Sequence, residues 1–202
     1  VTGGRADAMG FWDTLLGRTK PVRPDLDQLF GVPSAAITLE AAMGFTPTGR
    51  GAVCFASLEG AAFTRLSDEV HTLLRTTDTV SAGSGKAEFS RDEYGYSWLT
   101  AEHPPDDVAA LVNDVHAVNS ALEAAGFGSH LLCSLVAFRD TEARSLALVY
   151  LYKRGTFYPF APLPGDKRDS PLELEVKATL RDDLPIEPEL ARWFPLWAAP
   201  GL

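Results

Sequence analysis

Four histidines, two cysteines and several carboxylate pairs are the residues of this chain whose types could carry chemistry. A zinc centre needs His, Cys or carboxylate ligands at short, regular spacing. His71, His103, His116 and His130 are scattered, no two of them fall at that spacing, and the one nearby Cys, Cys133 after His130, lies in an apolar run. Acyl transfer on a nucleophile elbow needs Gly-x-Ser-x-Gly, which the sequence lacks, and Ser134 sits inside an apolar run. Ser84-Gly85-Lys86 resembles the end of a phosphate-binding loop. Position 80 is Val where that loop needs Gly, and Ala87 stands where a magnesium-binding hydroxyl belongs. Asp106 with Asp107 and Asp182 with Asp183 are adjacent carboxylates, but they fall at expected helix ends, where a dipole or solvent role suffices. Asn113, His116 and Asn119, three apart on one helix, form the best remaining polar group, and a polar helix face explains them. The residues therefore point away from an enzyme, and to no cofactor and no metal. Cys54 and Cys133 lie in apolar runs and read as small buried hydrophobes.

Two segments look like binding surfaces instead. Phe11, Trp12, Leu15 and Leu16 share one helix face, flanked by Arg18, Lys20 and Arg23. An apolar face beside cations suits an interfacial or partner-docking helix, and equally a terminal helix folded onto its own core. Lys153, Arg154, Phe157, Tyr158 and Phe160 place three aromatics beside two cations, a second candidate binding rim, although sheet-edge packing fits them as well.

Positioning elements follow from periodicity. Asp25 is placed to cap a short helix through Phe30, with Gly31 and Pro33 ending it. Residues 35–58 fit a hairpin by the alternation of Ile37, Leu39, Ala41, Met43 and Phe45, with a turn at 46–50. Ala35, Leu39, Ala42 and Met43 also fit a helix, and the hairpin is the expectation. Phe63, Leu66, Val70, Leu73 and Leu74 mark an amphipathic helix over about 60–75, followed by a Ser, Thr and Gly-rich loop over 76–86. Residues 89–101 are strand material, with Tyr94, Tyr96 and Trp98 on one face. Pro104-Pro105-Asp106-Asp107 opens a helix that buries Val108, Leu111, Val112, Val115, Val118 and Leu122 and ends at Gly126. The apolar runs 131–138 and 146–152 read as central strands joined by a turn at 140–144, and 156–161 extends the sheet. Ser170-Pro171-Leu172-Glu173 reads as a capping box opening a helix, and Pro188 starts a last short one carrying Leu190, Trp193, Phe194 and Trp197. Helices interleaved with hairpins predict an α+β fold, a single antiparallel sheet with helices on one face and a short N-terminal amphipathic helix. The expected division is a leader over 1–24 and one domain over 25–202.

Hydrophobic residues make up 46% and charged residues 22% of the 202, which excludes a disordered chain and allows a full core without disulfides. The net charge of −9 opposes nucleic-acid binding. Residues 1–24 alone carry a net of +2, leaving −11 on the rest, so the leader suits an anionic partner. No secretory signal or membrane-spanning run is visible, and the expectation is a cytoplasmic protein, with peripheral contact at the inner face of the membrane left open. Met9 is an alternative start to Val1.

Five segments together carry a resemblance. Met9-Gly-Phe-Trp-Asp-Thr-Leu-Leu-Gly-Arg-Thr-Lys-Pro21, Asp114-Val-His-Ala-Val-Asn119, Leu132-Cys-Ser-Leu-Val-Ala-Phe-Arg139, the stretch 148–162 and Arg192-Trp-Phe-Pro-Leu-Trp197 resemble the actinobacterial PspA-associated PspAB family. The resemblance implies a non-enzymatic accessory or adaptor protein of the phage-shock-type envelope stress response. Its implied partners are PspA or its membrane assembly, an anionic membrane surface and an HtpX-like membrane protease. It implies no catalytic residues. The alternative is a polypeptide-binding module, since the order of elements is similar to secretion-chaperone and YbjN-like folds.

Overall fold

The computed structural model describes residues 24–56, Thr64, 86–197 and 199–202. The expected leader helix, all but Thr64 of the helix over 60–75 and all but Lys86 of the loop over 76–86 lie outside the described residues. Six antiparallel strands form one sheet: β1 Thr46–Ala56, β2 Lys86–Arg91, β3 Tyr96–Glu102, β4 Leu131–Arg139, β5 Ser145–Leu151 and β6 Thr156–Phe160. Their spatial order is β2-β3-β1-β4-β5-β6. A two-stranded ribbon, β7 Pro162–Leu163 with β8 Lys167–Arg168, follows. The described α-helices are α1 Val32–Met43, α2 Val108–Ala124 and α3 Ser170–Thr179. The α+β class and the antiparallel sheet are as the periodicity predicts.

Both faces of the sheet are covered, which is why β4 and β5 are almost wholly apolar. On one face Val53, Phe55, Val136, Phe138, Leu148 and Tyr150 meet all three helices through Leu39, Leu111, Val115, Leu122 and Val176. On the other, Cys54, Trp98, Cys133, Leu135, Val149 and Tyr158 lie under the C-terminal segment, through Trp193, Phe194, Leu196 and Ala199. The alternation of side chains along each strand sorts neighbours between these two layers.

Several local expectations are corrected. Residues 32–43 are a helix, and a 3-10 segment over Leu26–Gly31 runs straight into it. Pro33 occupies the first turn of α1 instead of stopping the chain, because an N-terminal Pro forfeits no helical hydrogen bond. Ile37, which the strand reading points inward, is 72% exposed, while Val32, Ala35, Ala36 and Leu39 face the core. Residues 46–50 are not a turn but the first part of β1, where the register against β4 slips between Pro47 and Gly51. Tyr94 leaves the face of Tyr96 and Trp98 and sits exposed in the β2–β3 turn, where the Asp92 carboxylate accepts from the backbone of Tyr94 and Tyr96 and from the Trp98 indole. The last helix is a single 3-10 turn over Leu190–Arg192.

Capping at α3 also differs. Asp169, one residue before the expected cap, accepts from the Leu172 amide at 3.1 Å. Glu173 turns to the sheet, where it accepts from the Ala161 amide and pairs with Arg168 at 2.9 Å. At α2 the expected acidic opening is present, with Asp107 as N-cap accepting from the Ala110 amide at 3.0 Å.

Candidate functional site

Of the two predicted contact surfaces, the leader residues Phe11, Trp12, Leu15, Leu16, Arg18, Lys20 and Arg23 lie outside the described residues. The second falls on β6 and the turn before it. Phe157, Tyr158 and Phe160 are all 1% exposed or less, so the aromatics expected at a rim are core. Phe157 faces the helices, while Tyr158 and Phe160 face the C-terminal segment. Arg154 is committed to the fully buried Glu187, Nε to Oε2 at 2.6 Å, and Lys153 remains partly exposed.

The reason lies beyond β6. Residues 185–187 run parallel to it: the Phe157 amide donates to the Pro185 carbonyl at 2.8 Å, and the Glu187 amide donates to the Phe157 carbonyl at 2.7 Å. The sheet edge is thus closed by the chain itself. Thr156 Oγ1 donates to Glu187 Oε2 at 2.8 Å and the Glu189 amide to Oε1 at 3.2 Å. Burial alone would raise the Glu187 carboxyl, but the hydrogen bonds from Arg154, Thr156 and the Glu189 amide outweigh it and hold its pKa below the usual glutamate value. Onward from this clasp, the Trp193 indole donates to the Glu187 carbonyl at 3.0 Å, the Tyr158 hydroxyl donates to the Phe194 carbonyl at 2.9 Å, and Arg168 donates to the Trp193 carbonyl.

The polar group on α2 disperses. Steps of three residues rotate by about 60° around a helix, so Asn113, His116 and Asn119 drift apart. Asn113 is exposed. His116 leans on the 3-10 segment, its ring 4.7 Å from that of Phe30 and its Nε2 3.6 Å from Asp27 Oδ1. Asn119 is fully buried and donates to the Val115 carbonyl and to Ser134 Oγ, each at 2.8 Å.

Sequence reasoning also missed the pairing of His103 with Asp114. His103 Nε2 lies 2.6 Å from Asp114 Oδ2, and both side chains are nearly buried. Asp114 sits between Leu111, Val115 and Val118 on the buried stripe of α2, and a carboxylate there signals a buried partner. The pair fastens α2 to the end of β3. A groove of about 310 Å³ between the β4–β5 turn and the β7–β8 ribbon presents Glu142, Arg144 and Asp169. Its cation Arg144 is already paired with Asp140 at 2.7 Å. Among the described residues no three His, Cys, Asp or Glu side chains are grouped to hold a metal ion, and no helix is long and apolar enough to cross a membrane.

These contacts are architectural, and the comparison with known proteins adds what geometry does not. Neither the curated proteins nor the solved structures give a match. A family model described as PspA associated protein B matches residues 9–201, a span that takes in the leader from residue 9 onward, both sheet layers and the C-terminal cover, and the chain belongs to that family, PspAB.

Proposed function

We propose that this chain is a non-enzymatic adaptor of the PspA-type envelope stress response, one that binds PspA or its membrane assembly. The family match over residues 9–201 carries the reading, because the family is described by its association with PspA. The leader is its contact surface. Phe11, Trp12, Leu15 and Leu16 supply an apolar helix face, and Arg18, Lys20 and Arg23 supply charge opposite to that of the acidic body. The same leader suits anionic lipid at the inner face of the membrane, which would hold the adaptor where PspA assembles. An HtpX-like membrane protease is a further partner in this reading.

Two features support it. The apolar strand runs of the described body are covered on both sheet faces by its own helices and C-terminal segment. The family match includes residues 9–24 of the leader. Titration of purified PspA with the full-length chain, read by analytical ultracentrifugation, tests the proposal. A saturable complex is the expected result. Separate sedimentation of the two proteins at low salt, both with and without anionic vesicles, overturns it.

A further inference from the structure

The chain has two cysteines, and the fold sets them face to face. Cys54 on β1 and Cys133 on β4 are direct register partners in the centre of the sheet. Both are free, both are 1% exposed, and both point into the layer under the C-terminal segment. Directly opposed residues of an antiparallel pair are about 4.5 or 5.5 Å apart at Cα, depending on the ladder position. Either spacing falls inside the range of about 4.4–6.8 Å that a disulfide spans. Opposed residues also project to the same side of the sheet, so their Cβ vectors satisfy the second requirement. The register slips immediately after Cys54, between it and Phe55, which gives β1 a local irregularity beside the pair.

We propose that Cys54 and Cys133 form a redox modification site, a dithiol that a peroxide-class oxidant converts to an intramolecular disulfide across β1 and β4 when the C-terminal cover opens. In the first step the thiolate of one cysteine attacks a peroxide oxygen. The O–O bond breaks, a sulfenic acid forms, and the released hydroxide takes up the thiol proton as water. In the second step the other thiolate attacks the sulfenic sulfur. The S–S bond forms, the S–O bond breaks, and a second water leaves with the second thiol proton. Two thiols and one hydrogen peroxide thus give one disulfide and two waters, each sulfur losing one electron. A small-molecule thiol of the glutathione class reverses the change by exchange.

The cover sets the rate. Burial, and then the contact with Cys133, push the Cys54 thiol well above its ordinary pKa, so the closed protein holds little of the reactive thiolate. Trp193 and Phe194 lie over the layer, and the Tyr158 hydroxyl ties the cover down at the Phe194 carbonyl. Lifting this segment admits both water and oxidant.

Treatment of the folded full-length chain with hydrogen peroxide, followed by intact mass and non-reducing peptide mapping, tests the proposal. The expected product is the monomer lighter by two hydrogens, with the peptides of Cys54 and Cys133 linked. Cys54→Ala and Cys133→Ala each abolish that product. Tyr158→Phe removes the tie without opening a cavity and is expected to form the disulfide about threefold to tenfold faster, in step with easier local opening. Two thiols still alkylatable after prolonged exposure of the folded protein overturn the site, as does oxidation to separate sulfinic acids. Equal rates for wild type and Tyr158→Phe overturn the gating by the cover.

Discussion

His103 Nε2 and Asp114 Oδ2 meet at 2.6 Å where β3 ends and α2 begins its second turn. The contact closes a loop whose other restraint is the His103 amide, which donates to the Gly49 carbonyl of β1 at 2.9 Å. One short stretch therefore ties a strand end, a neighbouring strand and a helix together. Asp114→Ala leaves the nearly buried imidazole without its partner. The expected cost is about 1–3 kcal/mol, read as a lowered urea midpoint with unchanged slope.

Gly49 belongs to the same junction. Its φ is +77°, and a Cβ there would sit 2.0 Å from the His103 carbonyl oxygen. Gly44, which ends α1 at φ +72°, has nothing within 4 Å of the same position. Gly44→Ala is expected to cost about 1–2 kcal/mol of left-handed backbone strain. Gly49→Ala adds a backbone overlap at 2.0 Å with His103, whose own amide is bonded to the Gly49 carbonyl, and its loss of thermal stability is expected to be clearly the larger of the two.

The legibility of the fold followed the length of the apolar signal. α2 could be read residue by residue because Leu111, Val112, Val115, Val118 and Leu122 are large and regularly spaced. β4 and β5 stood out because they are buried on both faces. In α1 the buried stripe contains Ala35 and Ala36, which carry little hydrophobic contrast, and the exposed Ile37 mimics a strand alternation. The rim at 157–160 misled for a different reason. Aromatics beside cations look like a surface until one knows that Glu187, more than thirty positions away, neutralises Arg154 and that residues 185–187 close the edge. No local pattern encodes that pairing. The Cys54–Cys133 juxtaposition is equally non-local, since it depends on the β1–β4 register.

The pH limits of stability have assignable causes. Glu187 is held below the usual glutamate value in the fold and returns to about 4.3 on unfolding. Its contribution is fully present above the unfolded pKa and is lost as pH falls through the folded one. Glu187→Gln is expected to flatten the acid limb of the stability curve while lowering the plateau by about 1–3 kcal/mol. Burial and the nearby Glu123 push Tyr152 up to about 12, and burial likewise raises Tyr150 and Tyr158. A phenol ionises near 10 when unfolded, so the fold retains protons that the unfolded chain has lost, and stability falls as pH rises from about 10. Beyond the contribution of the exposed Tyr94, tyrosinate absorbance is expected to rise together with loss of far-ultraviolet dichroism, and ionisation of the three buried tyrosines ahead of that loss would contradict this.

Trp193 is the keystone of the C-terminal cover. It stacks on Tyr158 with ring centroids 6.1 Å apart, receives Lys177 Nζ over its face at 5.6 Å, and donates its indole proton to Glu187. Trp193→Ala is expected to cost about 3–5 kcal/mol. The loss should fall on the layer it covers, so amide exchange should accelerate in β5 and β6 before it does in α2. Uniform acceleration would mean that the cover and the helical layer unfold as one unit.

The leader prediction concerns what must leave water. If residues 9–24 dock on PspA or on anionic lipid, Phe11, Trp12, Leu15 and Leu16 are buried together, each contributing roughly 1.5–3 kcal/mol before ordering costs. Arg18, Lys20 and Arg23 add about 1 kcal/mol each at an anionic lipid surface, and less as salt rises. The apolar share exceeds the ionic one, so a Trp12→Ala, Leu16→Ala double variant should weaken capture more than Arg23→Ala does, with the thermal transition of the body unchanged. Vesicle co-sedimentation and PspA pull-down, each at low and high salt, separate the two docking targets: lipid binding should fade with salt, whereas a PspA groove that buries the apolar face should hold. Should deletion of residues 1–24 leave both interactions intact yet lower the thermal midpoint, the leader packs on its own core, and the docking surface lies elsewhere on the chain.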